Sequence, residues 1–125
     1  MLLRLKIIEA KNIPSLDVIG ESDPYCMVQM SNSQQVYRTK VINNTSRPTW
    51  NEEFRLPVSR TASDVLFIVV KDKDTISADD PIGKCEFSMN SLQLNQEKDQ
   101  WVTLQSMCKH SNAGSLHVSL LLTKV

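Results

Sequence analysis

At 125 residues the chain has room for one domain, taken as 1–125, with a core of its own. Apolar residues make up 41% and charged residues 22%, an ordinary globular balance. Fourteen Lys and Arg offset fourteen Asp and Glu, so the basic excess of a constitutive nucleic-acid binder is missing, although a balanced total still permits a charged pole.

In chain order, Leu3, Leu5 and Ile7 alternate with Arg4 and Lys6, which predicts a strand over 2–9. Further strands are predicted over 24–30, 35–43, 52–57, 64–71, 82–88 and 100–104. The last spans 115–123, where Leu116, Val118, Leu120 and Leu122 alternate with His117 and Ser119. Turn-rich segments separate them at 14–17, 20–24, 43–48, 72–81 and 110–114. Only Met89 to Gln100 offers a short helix, with Asn90 or Ser91 as its cap. Eight short strands at this spacing predict an all-β sandwich. Trp50, Phe54 and Trp101 read as core, with Pro48 fixing the turn before Trp50.

Some features are expected to be silent. Cys26, Cys85 and Cys108 are odd in number and lack a CxxC pair, which argues against a disulfide framework or zinc site and suits a reducing compartment. Asn43 and Asn44 each open an N-x-[ST] triplet, read as an unmodified loop. The longest wholly apolar run, Val65 to Val70, is far too short to span a bilayer, so any membrane contact is expected to be peripheral. Leu2-Leu3 gives way at once to Arg4 and Lys6, unlike a signal peptide.

The aspartates carry the chemistry. Asp17 and Asp23 bracket one loop, and Asp72, Asp74, Asp79 and Asp80 crowd another. Each group follows a strongly apolar strand, so both loops can meet at one end of a sandwich. Carboxylates gathered there repel one another unless a cation compensates. Oxygen-only, carboxylate-rich sites suit calcium; zinc calls for Cys or His, and neither His110 nor His117 is near these loops in sequence. Asp, Ser, Gly and Pro are common in any loop, and a D-x-D pair alone is weak evidence; two such loops beside the right strands are less easily accidental.

These residues resemble a family. Leu16-Asp17-Val18-Ile19-Gly20-Glu21-Ser22-Asp23-Pro24-Tyr25 is similar to the first calcium loop of C2 domains. Asn44 to Phe54 resembles the family's N-x-x-x-P-x-W-N-E-x-F segment. Asp72-Lys73-Asp74 followed by Asp79-Asp80-Pro81-Ile82-Gly83 resembles its third loop, and Trp101-Val102-Thr103-Leu104 its penultimate strand. The resemblance covers nearly the whole chain. It implies an eight-stranded antiparallel Greek-key β-sandwich with the type II, phospholipase-C-like strand order, and termini opposite the calcium loops.

It also implies roles. Asp17, Asp23, Asp72, Asp74 and Asp80 fall on the acidic ligand positions of a site for two or three calcium ions. The carbonyls of Leu16 and Lys73 fall on positions that add ligands, and Ser77 on one that assists a further ion. Asp79 is an extra carboxylate, read as facing solvent in preference to tuning the field. Val18, Ile19 and Ile76 are the membrane-contact candidates. Arg38 and Lys40 are all that remains of the family's cationic strand surface, which points to phosphatidylserine in preference to phosphoinositides. The implied function is calcium-dependent binding to anionic phospholipid membranes, in a cytoplasmic protein recruited to the inner membrane face as calcium rises. A protein partner or a fused catalytic domain would extend that role, and a protein-interaction module with an unused calcium site is the alternative. Enzymatic activity is not expected, because no nucleophile–base–orienter set is visible.

Overall fold

The computed structural model describes residues 1–16 and 20–124; Asp17, Val18, Ile19 and Val125 fall outside the described residues. The alternating segments become strands β1 (Leu2–Lys11), β2 (Pro24–Met30), β3 (Val36–Arg38), β4 (Thr49–Pro57), β5 (Val65–Asp72), β6 (Asp80–Ser88), β7 (Lys98–Thr103), β8 (Gln105–Ser106) and β9 (Ser115–Thr123). They form a four-stranded sheet, β4-β1-β9-β7, and a five-stranded sheet, β3-β2-β5-β6-β8. Every paired strand runs antiparallel, as the expected sandwich requires.

The core is what the alternation encodes. Leu3, Leu5 and Ile7 of β1 and Leu116, Val118, Leu120 and Leu122 of β9 turn inward from one sheet. Cys26, Val28, Met30, Leu66, Ile68, Val70 and Ile82 meet them from the other. Burial pushes the Cys26 thiol well up, and the Cys85 thiol up to about 12, so both behave as small apolar residues.

Several strand ends shift by two or three residues from the sequence reading, β4 for example starting at Thr49, and three departures are larger. β3 stops at Arg38 because Thr39 diverts the chain: its Oγ1 accepts the Cys26 N–H (2.8 Å) while its own N–H donates to the Cys26 carbonyl (3.0 Å). A two-residue strand, β8, extends the β6 edge. The stretch after β6 gives a single 3₁₀ turn, Met89–Ser91, in place of a longer helix. Leu92 is already extended, Leu94 bridges Leu122, and the Asn95 N–H donates to the Leu122 carbonyl (2.7 Å), so cross-chain pairing replaces helical bonding.

Register fixes the two poles. Leu2 lies opposite Thr123, so the chain ends sit at one pole. Residues 12–16 and 20–23 and loop 73–79 sit at the other, together with 39–48 and 107–114, because β1 and β5 end there and β2, β4, β6 and β9 begin there.

A bulge between Ile7 and Glu9 shifts the β1 alternation, so that Ala10 is buried while Glu9 and Lys11 pair across from His117 and Ser115. Trp101, expected in the core, is instead 42% exposed on the outer face of edge strand β7. It stacks on His117 at 4.8 Å, and Lys11 Nζ stands 4.3 Å from the centre of its ring. His117 is held at both nitrogens: Nε2 at 2.6 Å from Asp99 and Nδ1 at 3.2 Å from Glu9. A neutral imidazole has one N–H and satisfies only one of these carboxylates; the imidazolium satisfies both. The Asp99 hydrogen bond, then that from Glu9, therefore raises the His117 pKa above its usual 6.5. A raised folded-state pKa stabilises the fold fully below about pH 6.5 and loses that stabilisation as pH rises through the folded value. The wild-type melting temperature should accordingly fall on going from pH 6 to pH 8, and His117→Gln should flatten that slope. An identical slope in both proteins would remove His117 as its source.

Candidate metal centre

Three neighbouring strands bring the acidic loops together. Asp72, the last residue of β5, pairs with Pro24 of β2 on one side and Asp80 of β6 on the other. Asp23, Asp72 and Asp80 thus stand side by side at the end of the five-stranded sheet. Pro24 and Pro81 occupy strand starts, where a missing N–H is tolerated.

Within this row the backbone and the carboxylates interlock. Asp72 is buried, at 3% exposure, and its Oδ1 accepts the Asp23 N–H at 2.8 Å. The Asp23 carbonyl in turn accepts the Lys73 N–H at 3.0 Å. Asp23 Oδ1 accepts the Asn44 N–H at 2.6 Å. Asp80 is exposed at the start of β6, and Leu16 is half-buried against the core.

The third loop is organised around Asp74 and Asp79. Asp74 Oδ1 accepts the N–H groups of Ile76 (2.9 Å) and Ser77 (3.3 Å), and its Oδ2 accepts the Ser77 hydroxyl (2.9 Å). These donors, Ile76 first, hold the Asp74 pKa below its usual 3.8. Ser77 is therefore engaged with Asp74. Asp79 does not simply face solvent: only 15% of its side chain is exposed. Its Oδ1 accepts the Asp74 N–H (2.9 Å), and its Oδ2 accepts the Tyr25 hydroxyl and lies 3.7 Å from Lys73 Nζ. The Asp74 N–H, followed by the Tyr25 hydroxyl, keeps the Asp79 pKa low. Burial, then the Asp79 bond, pushes Tyr25 up to about 12. Asp79 thus anchors the loop to the start of β2. At the tip Ile76 is 95% exposed.

The first loop is tied from two directions that the sequence did not reveal. His110, 95 residues away in the chain, donates from Nε2 to the Ser15 carbonyl at 3.0 Å. Asn44 grips the far side of the loop through Glu21 and Asp23. Asp17, Val18 and Ile19, expected between these ties, are outside the described residues. Of the cationic candidates, Arg38 is exposed on the outer face of the five-stranded sheet opposite Met27, and Lys40 is exposed just beyond β3.

The side chains gathered here offer oxygen donors, the chemistry that suits calcium rather than zinc. Among the described residues no three His, Cys, Asp or Glu side chains converge as one metal-holding group. Asp72 and Asp74 are both turned towards backbone N–H donors of the loops.

Comparison with known proteins agrees with this architecture. Residues 1–104 match the family model described as C2 domain. Synaptotagmin-1 of Aplysia californica is 35% identical over 107 residues, covering 83% of this chain and 25% of that protein. The chain spans a quarter or less of the length of the curated relatives it matches. A single C2 domain of plant Extended Synaptotagmin 1 superposes with a TM-score of 0.91 over 99% of this chain and 95% of that one; at 22% identity this speaks for the fold alone. A calcium-bound structure of two C2 domains of Extended-Synaptotagmin 2 superposes with a TM-score of 0.82 at 28% identity, covering 96% of this chain and 44% of that one. Strand order, loop placement and the match over residues 1–104 agree, and the chain belongs to the C2 domain family.

Proposed function

We propose that this domain is a calcium-switched module that docks on anionic phospholipid membranes. The observation that carries the reading is one pole of the sandwich, where Asp23, Asp72 and Asp80 lie in a single row beside a loop whose tip residue, Ile76, is 95% exposed. Calcium takes about 6–8 oxygen ligands. Asp23, Asp72, Asp74 and Asp80 would supply carboxylates, joined by Asp17. The Leu16 and Lys73 carbonyls would add backbone oxygens, and Ser77 would serve a further ion. Two or three ions would be held.

Without metal the pole is acidic and repels an anionic leaflet. Bound calcium supplies positive charge and open coordination positions for a lipid phosphate or carboxylate. Each favourable charge near such a leaflet contributes about 1 kcal/mol, so reversing several decides binding. With Arg38 and Lys40 as the only cations of the β3 region, the reading favours phosphatidylserine and a cytoplasmic module recruited to the inner membrane face. The domain itself is read as non-enzymatic, in a longer protein that supplies a catalytic domain or a protein partner. The calcium-bound Extended-Synaptotagmin 2 structure supports the metal assignment by likeness.

Ile76 tests the membrane half of the proposal. Its exposure means that replacement disturbs little packing, whereas insertion of the side chain contributes up to about 1.5–3 kcal/mol. Ile76→Ser should weaken binding to phosphatidylserine vesicles by about tenfold or more. Calcium affinity measured by titration calorimetry without lipid should be unchanged. Undiminished vesicle binding would remove Ile76 from the contact surface.

A further inference from the structure

We infer that Asn44 is a positioning residue that sets the geometry of the first acidic loop from outside it; the inference rests on the calcium reading above. Asn44 lies in the 39–48 connection and contributes no carboxylate. It nevertheless hydrogen-bonds two of the four residues that lead into β2. Its side-chain Oδ1 accepts the Glu21 N–H at 2.8 Å, and its backbone N–H donates to Asp23 Oδ1 at 2.6 Å. A Cβ on Gly20 would stand 3.2 Å from the same Oδ1. The next residue completes the seam, with the Thr45 N–H donating to the Ser22 carbonyl at 3.0 Å.

The backbone is shaped for this grip. Asn44 adopts a left-handed φ of 53°, a conformation that Asn tolerates better than most side chains. Gly20 has φ 83°, which a side chain would strain while also pressing on the Asn44 amide. Asn44 thus accepts the Glu21 N–H of the first loop and donates to the Asp23 carboxylate that would face the ion. Partners that orient a ligand without being one commonly govern metal affinity as strongly as a weak ligand does.

Two variants separate the grip from the fold. Asn44→Gly keeps the left-handed backbone and the N–H to Asp23 but deletes the Oδ1 acceptor. Asn44→Asp keeps all three. With calcium alone as the probe, titration calorimetry should show Asn44→Gly about tenfold weaker than wild type, and Asn44→Asp at least as tight as wild type. Amide hydrogen exchange in chelator should show the Glu21 N–H protected in wild type and Asn44→Asp and released in Asn44→Gly. Equal calcium affinity in wild type and Asn44→Gly overturns the inference, as does equal weakening in both variants. Should wild type itself fail to bind calcium, the calcium reading falls, and the exchange arm still decides the grip: a Glu21 N–H equally labile in all three proteins overturns it.

Discussion

The double variant Asp72→Asn/Asp74→Asn is expected to lose calcium binding while keeping its fold. Both carboxylates accept hydrogen bonds from the backbone: Asp72 from the Asp23 N–H, and Asp74 from the Ile76 and Ser77 N–H groups. An Asn oxygen accepts the same bonds, so the loop conformation survives the change. What disappears is charge. Calcium affinity depends on the number of anionic ligands, and removing two charges from one centre should weaken it by about a hundredfold or more. The same change relieves repulsion among Asp23, Asp72, Asp74, Asp79 and Asp80 at one pole. The hydrogen bonds that hold the Asp74 pKa low favour its charged form, and losing that offsets the relief, so the melting temperature in chelator should stay within a few degrees of wild type. Calorimetric titration and a thermal melt read both effects. Calcium binding at wild-type strength would remove Asp72 and Asp74 from the metal site.

The largest loss of stability is expected from Gly114→Ala. Gly114 has φ 89°, and an added Cβ would lie 2.4 Å from the Lys11 carbonyl oxygen and 2.8 Å from that of Asn12. Both obstacles are backbone and cannot swing aside. Gly114 also closes the β7–β9 connection, since its carbonyl accepts the Leu104 N–H (2.9 Å) and its N–H donates to Asn112 Oδ1 (2.8 Å). Left-handed strain of about 1–2 kcal/mol adds to overpacking of about 1–3 kcal/mol. Against a total stability of about 5–15 kcal/mol, that sum should lower the melting temperature by about 10 °C or more. A melt within about 2 °C of wild type would show that the 107–114 loop can move away from the end of β1.

Legibility in the sequence followed the range of the interactions. Period-2 alternation is local, so β1, β2, β5, β6 and β9 were readable within a few residues, and their order implied the sandwich. The two acidic loops were also local signals, and antiparallel pairing of β2, β5 and β6 brings them to one pole. What escaped the reading depends on distant partners. Asp79 looked like a spare surface acid because Tyr25, which binds it, is 54 residues away. His110 looked remote from the first loop until the β8–β9 connection laid it against Ser15. Asn44 read as part of a glycosylation triplet and as the start of a family segment, with no role at the first loop, since nothing near it in the chain announces Glu21 as its partner. Trp101 was misplaced for a different reason. A large aromatic suggests a core, yet Val102 and Leu104 already claim the inward positions, so alternation along β7 turns Trp101 outward. The shortened β3 reflects competition by the Thr39 hydroxyl, which takes the Cys26 N–H from the strand ladder.

The most direct test of the central claim is co-sedimentation of the domain with phosphatidylserine-containing vesicles, with calcium and then with chelator, at near-physiological salt. Binding in calcium that is lost in chelator is the predicted result. It should vanish in Asp72→Asn/Asp74→Asn, and that would identify the acidic pole as the switch. Equal binding in calcium and in chelator would contradict the account and move the lipid contact to the Arg38 and Lys40 surface; binding in neither would contradict it as well and leave a protein-interaction role.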